Sequence, residues 1–278
     1  MMKLAFSTLG CPDWTLEKII SNARGYGFSG IEIRGVGEHL DVTMLPQFTS
    51  HSQETLRQLE DAELNIVCFS SSILLSPAES SLETPQLEEL KRYAELCSRF
   101  QTKFIRIFGG KLGQRTWEQA IDGAATYLEK MIAALGSSDV KILVETHDDW
   151  LNSHHFHQLL ERVPSDHVGL LWDINHPYMF IGEEPARTWH NVGNWIEHTH
   201  WKDSRRVAVS PARWEPCLMG EGEVPHQQIY RILRNAGYTG YLSLEWEKRW
   251  HPELPPAEMA FPQFVAFMTR LEQGYQNG

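Results

Sequence analysis

Short runs rich in β-branched and aromatic residues alternate along this chain with longer segments whose apolar residues recur three and four positions apart. Runs of the first kind are typical of buried strands, and segments of the second kind are typical of amphipathic helices. Two of the helix-like segments are DWTLEKIISNARGYGF (13–28) and LEELKRYAELCSRF (87–100). Gly27, Gly136 and Gly237 stand where such helices would end before the next strand. The predicted strands are residues 4–8, 30–35, 66–71, 103–110, 141–146, 168–174, 196–202 and 241–247.

Eight strand–helix units in 278 residues predict an α/β fold, a single (β/α)8 or TIM barrel that spans residues 1–278 as one domain. No linker-like or low-complexity stretch divides the sequence. The alternative is a doubly wound open sheet, but no GxGxxG motif follows the first predicted strand. We therefore favour the barrel.

The two-residue period of a strand predicts which side chains point into this barrel. In the eighth predicted strand Leu242 and Leu244 share one face, while Ser243 and Glu245 share the other. The apolar face should contact the helices, and the polar face should line the interior. On the fifth, sixth and seventh strands the same alternation turns inward Glu145, Asp173 and His200. All four polar groups come late in their strands, at the end of the barrel where TIM-barrel enzymes have their active sites.

Glu145, Asp173, His200 and Glu245 together suggest a metal site. Three converging carboxylates would repel one another strongly unless a positive charge compensates them. Oxygen-rich donors with one imidazole suit Mn²⁺, Mg²⁺ or Co²⁺, and Zn²⁺ is not excluded. Each residue alone could instead pair with a nearby basic side chain. Because all four stand at equivalent depth on consecutive strands, we favour one shared divalent cation.

Composition and charge narrow the class of protein. The chain is 42% hydrophobic and 22% charged, which is typical of a globular protein with a large core. A net charge of −11 argues against nucleic acid as a partner, since phosphates are bound by clustered Lys and Arg. We find no signal peptide or membrane-spanning run and expect a cytoplasmic protein. The four cysteines, Cys11, Cys68, Cys97 and Cys217, are scattered along the chain without the paired spacing that would suggest disulfides.

Several segments resemble the sugar phosphate isomerase/epimerase family of xylose-isomerase-like TIM barrels. They are GFSGIEIRG, FIRIFGG, ETHDDW, WDINHP, HTHWKD, GEGEVP and LSLEWE, and the resemblance runs from Leu4 to about Phe267. It implies one divalent metal ion, with Mn²⁺ first among the candidates. The ligands that it implies are Glu145, Asp173, His200 and Glu245. The family's Asp-x-x-His pattern implies a substrate contact at His176, and an Arg six residues past the third ligand implies another at Arg206, next to Arg205.

The resemblance also implies a reaction on a small carbohydrate. A metal that holds two neighbouring oxygens of a hydroxy-ketone acidifies the adjacent C–H bond, so that a carboxylate can remove the proton and form an enediolate. Glu145 and Glu245 would remove and return protons, which gives an epimerase or isomerase of a sugar, sugar phosphate or related polyol ketone. His147, Lys202 and Arg106 are further candidates for substrate binding. Lys202, Arg106 and Arg34 could equally neutralise Glu32 or the ligand carboxylates. For Arg34 we favour this charge neutralisation over substrate binding.

Other functions fit the same scaffold. A metal-dependent lyase, similar to inosose dehydratase or dehydroshikimate dehydratase, would expel a hydroxyl from the same enediolate. An apurinic endonuclease would need further His ligands, but the strand ends FSSS (69–72) and IFGG (107–110) contain none. A non-catalytic sugar-binding barrel would not need two opposed carboxylates. The sequence leaves open the substrate and whether the chain forms a homo-oligomer.

Overall fold

A closed barrel of eight parallel strands forms the centre of the computed structural model, which describes residues 2–76, 80–207 and 213–276. Strands are numbered in chain order, and β8 and β9 lie outside the barrel. The barrel strands are β1 (Lys3–Ser7), β2 (Gly30–Ile33), β3 (Asn65–Leu74), β4 (Phe104–Phe108), β5 (Lys141–Glu145), β6 (Val168–Asp173), β7 (Ile196–Trp201) and β10 (Tyr241–Leu244). Strand β10 pairs with β7 and with β1 and so closes the circle. The predicted TIM barrel is confirmed, with strand limits that differ from the prediction by at most three residues.

Helices follow the barrel strands and cover the outside of the sheet. They are α1 (Leu16–Tyr26), α2 (Ser52–Asp61), α3 (Glu83–Phe100), α4 (Trp117–Leu135), α5 (Ser153–Arg162), α6 (His176–Ile181), α7 (Pro185–Val192), α8 (His226–Asn235) and α9 (Ala257–Gln276). Helix α4 begins at a capping box, in which Thr116 and Gln119 each accept the other's backbone N–H. Helix α1 ends at Gly27, whose φ of 96° is in the left-handed region that glycine adopts without a steric penalty.

The barrel wall separates an apolar layer from a largely polar interior. Leu242 and Leu244 belong to the main hydrophobic core, which lies between the strands and the helices. Between them Ser243 points inward and donates a hydrogen bond of 3.0 Å to Glu32. A small apolar cluster of Ala5, Val67 and Cys68 is separate from the main core. The inward polar face predicted from the two-residue period is therefore present.

An antiparallel hairpin of β8 (Asp203–Val207) and β9 (Arg213–Cys217) follows β7 and was not predicted from the sequence. Asp203 fixes its base, because its carboxylate accepts backbone N–H groups of Gly220 and Gly222 at 2.8 and 2.9 Å. Gly222 has no room for a side chain, since a Cβ there would lie 2.2 Å from Asp203 Oδ1. The loop that follows the hairpin is thus tied to the C-terminal end of β7.

Two sequence expectations about the environment can be compared with the structure. Cys11, Cys68, Cys97 and Cys217 are all buried and free of disulfide bonds. Within the described part of the chain, no helix combines the length and the apolar character that crossing a lipid bilayer requires.

Candidate metal centre and its surroundings

The structure brings together the four residues predicted to share a cation. Glu145, Asp173, His200 and Glu245 are buried, and one ligand atom from each lies within 4.8 Å of those of the other three. His200 on β7 is paired in register with Asp173 on β6 and with Ser243 on β10. Glu145 ends β5 and Glu245 follows β10 directly. Because parallel strands end at the same rim of the barrel, the four side chains reach one point.

His200 lies at the centre of this group. Its Nδ1 is 2.9 Å from Glu145 Oε1 and 3.4 Å from Glu245 Oε1. Its Nε2 is 2.9 and 3.0 Å from the two carboxylate oxygens of Glu32. Burial opposes the charged imidazolium, but Glu245, Glu32 and Glu145 raise the pKa of His200 well above its ordinary value. A proton on His200 therefore compensates part of the negative charge of the carboxylates.

Glu32 is a site residue whose role the sequence did not reveal. Its buried carboxylate accepts hydrogen bonds from Ser70 Oγ at 2.7 Å and from Ser243 Oγ at 3.0 Å, and it contacts His198 Nε2 at 2.9 Å. Burial alone would raise the pKa of Glu32, but His200 and His198 hold it well below its usual range. Since an ionised carboxylate only accepts hydrogen bonds, Glu32 accepts the Nε2–H of His200, while Nδ1 faces the cluster.

Lys202 bridges two members of the cluster. Its ammonium nitrogen is 2.9 Å from Asp173 Oδ2, 2.6 Å from Glu245 Oε2 and 2.8 Å from Glu247 Oε1. Burial would lower the pKa of Lys202, but these three carboxylates raise it well above its ordinary value. Lys202, which the sequence predicted as a substrate contact, thus forms ion pairs with two carboxylates of the cluster.

Two arginines that point into the barrel behave differently. Arg106 Nε is 3.3 Å from Glu145 Oε2, and the same guanidinium lies 3.9 Å from the ring centroid of Phe108. Arg106 thus contributes to holding the pKa of Glu145 below its usual range; burial opposes this, and His200 is the stronger cause. Arg34 was expected to neutralise Glu32 or the clustered carboxylates. Its Nη2 donates to Ser72 Oγ at 3.0 Å, and Glu245 and Glu145 partly oppose the burial that lowers the pKa of Arg34 to about 10.

His176 and His147 lie beside the cluster. The backbone N–H of His176 donates to Asp173 Oδ1 at 3.0 Å, and its Nδ1 is 3.2 Å from the carbonyl oxygen of Thr146. Burial, with Lys202 and His147 nearby, lowers the pKa of His176 to about 3, so its ring is neutral at pH 7. The ring of His147 lies 4.8 Å from that of His176. Both rings therefore lie next to the four clustered residues.

Arg206, the remaining predicted substrate contact, lies on the exposed part of the hairpin. Its backbone N–H donates to Glu223 at 2.8 Å, and its guanidinium lies 4.6 Å from the ring centroid of Trp214. These contacts are with the hairpin and the loop after it rather than with the four buried residues.

The donor set suits one divalent cation. Among the described residues, the charged neighbours of the buried Glu145 Oε2 and Asp173 Oδ2 are Arg106 Nε at 3.3 Å and Lys202 Nζ at 2.9 Å, and neither contact is a well-aligned hydrogen bond. A buried carboxylate oxygen needs a positive or hydrogen-bonding partner. Three carboxylates and one imidazole would supply a divalent ion with oxygen donors and a single nitrogen. The residues present therefore fit such an ion.

Comparison with known proteins identifies the family. Residues 20–270 match the family model of xylose isomerase-like TIM barrels, and the chain belongs to that family. Inosose dehydratase from Clostridium perfringens (strain ATCC 13124) is 23% identical over 265 residues, which cover 84% of this chain and 83% of that protein. Fructoselysine 3-epimerase from Escherichia coli O157:H7 is 21% identical over 257 residues, covering 88% and 90%. The relatives thus include both dehydratases and epimerases, and the chain is a member of a family of sugar-modifying enzymes.

A solved structure supports the fold. The IOLI protein with a bound zinc atom superimposes with a TM-score of 0.81 and 18% identity, over 99% of each chain. At this level of identity the likeness shows the barrel and not the reaction.

Proposed function

We propose that this protein is a divalent-metal-dependent isomerase or epimerase of a sugar, a sugar phosphate or a related polyol ketone. The observation that carries the proposal is the approach of two buried carboxylates, Glu145 and Glu245, to the same nitrogen of His200, at 2.9 and 3.4 Å. Inverting one sugar carbon by proton transfer uses one group that removes the proton from one face and a second that returns a proton to the other, and either group could deliver it to the neighbouring carbon instead.

Glu145, Asp173, His200 and Glu245 would hold the ion, and Mn²⁺ is our first candidate, ahead of Co²⁺, Mg²⁺ and Zn²⁺. When bound, the ion would polarise a substrate carbonyl and so acidify the neighbouring C–H bond. The zinc atom in the structurally similar IOLI protein supports a metal in this kind of barrel.

The side chains around the four residues assist proton transfer. Glu145 would remove the proton from carbon, because Arg106 and His200 keep its carboxylate ionised. Glu245 would return a proton, and Lys202 at 2.6 Å holds its carboxylate in place. Neutral His176 and the adjacent His147 would orient the substrate hydroxyls, and Arg206 would reach the substrate only from the hairpin.

A lyase is the second candidate, and the position of Lys202 favours it. Its ammonium lies 2.9 Å from Asp173 Oδ2 and 2.6 Å from Glu245 Oε2, where it could protonate a departing hydroxyl. In that reaction Glu145 would take the proton from carbon, a C=C bond would form, and the C–O bond would break to release water. The similarity to inosose dehydratase supports this alternative.

The first test is the metal content of the purified protein, by mass spectrometry, for the wild type, Glu245→Ala and the control Glu247→Ala. We expect about one ion per chain in the wild type and the control, and none in Glu245→Ala. Glu247 is a matched control because it contacts Lys202 but is not one of the four residues. Metal-free wild-type protein after reconstitution with Mn²⁺, Co²⁺, Mg²⁺ and Zn²⁺ would refute the proposal.

The reaction is then assigned by incubating ketoses and inososes with the metal-loaded protein in D₂O. A product that has incorporated deuterium and has lost no water identifies an isomerase or epimerase. A product that has lost one water molecule identifies a lyase. Glu145→Gln should keep the metal and lose proton exchange. A variant that retains both would contradict the role of Glu145.

A further inference from the structure

A pocket of about 250 Å³ adjoins the candidate metal centre on the side of β5 and β6. It is lined by His147, Asp148, Leu151, His176 and Phe180. Two of these residues connect it directly with the cluster, since His176 is hydrogen-bonded to Asp173 and His147 follows Glu145 by two positions. A substrate that reacts at the cluster could therefore extend into this pocket.

The walls of the pocket combine apolar side chains with three polar ones, His147, Asp148 and His176. Leu151 and Phe180 are apolar, and the ring of Phe180 lies 5.5 Å from that of His176. The carboxylate of Asp148 is already paired with His147 Nδ1 at 3.2 Å. The Nδ1 atom of His176 is directed to the carbonyl oxygen of Thr146. The remaining ring nitrogens of His147 and His176 would contact hydroxyls of the reacting sugar, so Leu151 and Phe180 form the apolar part of the lining.

The β5–α5 side of the pocket is built on a tight turn. Asp148 adopts a φ of 55°, which an Asp tolerates better than most residues, and the N–H of Trp150 donates to the carbonyl of His147 at 3.0 Å. The Trp150 side chain is completely buried below the turn. The turn directs Asp148 toward His147 and presents Leu151 to the pocket, so the walls on this side are formed before a ligand binds.

Phe180 also lines the pocket and is unusually exposed for its size. It stands near the end of helix α6, and 55% of its surface is accessible to solvent. Most large apolar side chains of globular proteins are buried, and a large exposed one beside a candidate active site is a possible ligand contact. A flat ring bound in the pocket against Phe180 and Leu151 would remove apolar surface of both residues from water.

We propose that this pocket binds a planar apolar ring, of aromatic type, that the substrate carries beyond its reacting sugar carbons. The inference rests on the proposed function, because it places the sugar at the four clustered residues. An apolar cavity of about 150 Å³ is enough for benzene, so 250 Å³ accommodates one six-membered ring with a small substituent. A second sugar would need partners for several hydroxyls, and an anion would face the carboxylate of Asp148.

The test compares the binding of phenyl β-D-glucopyranoside and methyl β-D-glucopyranoside to the metal-loaded protein by isothermal titration calorimetry. In the wild type we expect the phenyl glucoside to bind about tenfold more tightly, as burial of one ring implies. Phe180→Ala and Leu151→Ala should each lose most of this preference. Ile181→Ala is the matched control, because Ile181 is the neighbouring exposed apolar residue of α6 and does not line the pocket, and it should keep the preference.

The outcomes separate this inference from the proposed function. Equal affinities for the two glucosides, no binding of either at millimolar concentration, or a phenyl preference that survives in both Phe180→Ala and Leu151→Ala would overturn the inference. Because the preference is a ratio of dissociation constants for unreacted ligands, it does not depend on turnover. Metal content and proton exchange in D₂O test the proposed function separately.

Discussion

Replacement of Glu32 by Gln tests whether a residue of β2 controls metal binding by the four clustered residues of β5, β6, β7 and the end of β10. Both carboxylate oxygens of Glu32 contact His200 Nε2, at 2.9 and 3.0 Å. In Glu32→Gln one oxygen becomes an NH₂ group, which donates where the carboxylate accepted. An NH₂ group facing Nε2 favours the tautomer that carries its proton on Nδ1. That nitrogen is the one that faces Glu145 and Glu245 and would bind the ion.

The expected magnitude follows from the kind of contact that is lost. Removing a carboxylate that orients a metal-binding His weakens metal affinity by about 10- to 100-fold, or about 1.4–2.7 kcal/mol. Glu32→Gln should also lower the free energy of unfolding, because a buried network with Ser70 and His198 loses an acceptor. The protein should still fold, since Gln has nearly the shape of Glu.

The assay is a competition titration of the metal-free protein against a chromogenic chelator, with circular dichroism to check folding. Ser243→Ala is the control, because it removes one hydrogen bond from Glu32 and leaves His200 in contact. Its metal Kd should change by less than about threefold. A folded Glu32→Gln protein with unchanged Kd would refute the reasoning. Glu32, His198 and His200 also lie close enough to hold an ion themselves, so two ions per wild-type chain and one in the variant would make Glu32 a ligand instead.

Three further predictions concern stability. Gly109→Ala should destabilise the protein by about 1–3 kcal/mol in denaturant titration, because a Cβ there would lie 2.5 Å from the buried ring of Trp150. The contrasting variant Gly123→Ala should stabilise it by about 0.5–1 kcal/mol, because a Cβ at this position of α4 meets no other atom. Burial lowers the pKa of His226, so below about pH 6.5 the unfolded chain binds more protons than the folded protein. On acidification the stability of the wild type should therefore fall by up to about 1.4 kcal/mol per pH unit more than that of His226→Gln. Parallel pH profiles of the two proteins would contradict this. When the free ion concentration is about 100 times the Kd, removing the ion with a chelator should lower the free energy of unfolding of the metal-loaded protein by about 2.7 kcal/mol. An unchanged Tm after chelation would show that no ion stabilises the fold.

The barrel and its inward polar residues could be predicted because they depend on local periods. A two-residue alternation fixes which face of a strand Glu245 or Asp173 occupies, and parallel closure then brings the strand ends together. Partner choice inside the barrel could not be predicted in the same way. Glu32 contacts His198 and His200 across 166 and 168 residues of sequence, and the choice between them and Arg34 depends on the register of the closed sheet.

The hairpin was missed for a different physical reason. Only Lys202 separates β7 from β8, so no turn signal marks a new element. The segment DSRRV has no alternation of apolar and polar residues, because Arg205 and Arg206 are both exposed. Since the hairpin contributes little to the core, hydrophobic patterning could not reveal it, and the position of Arg206 relative to the site was unpredictable.

The contacts of Glu32 divide the candidate site between the two halves of the chain. The four clustered residues come from positions 145–245, whereas Glu32 stands on the second strand. A half-barrel containing only β5, β6, β7 and β10 would carry every residue of the cluster but not the acceptor that orients His200. Ion affinity would therefore report on closure of the ring itself: an event that opens the seam between β1 and β10 and draws Glu32 away from His200 should weaken ion binding by about the same 10- to 100-fold.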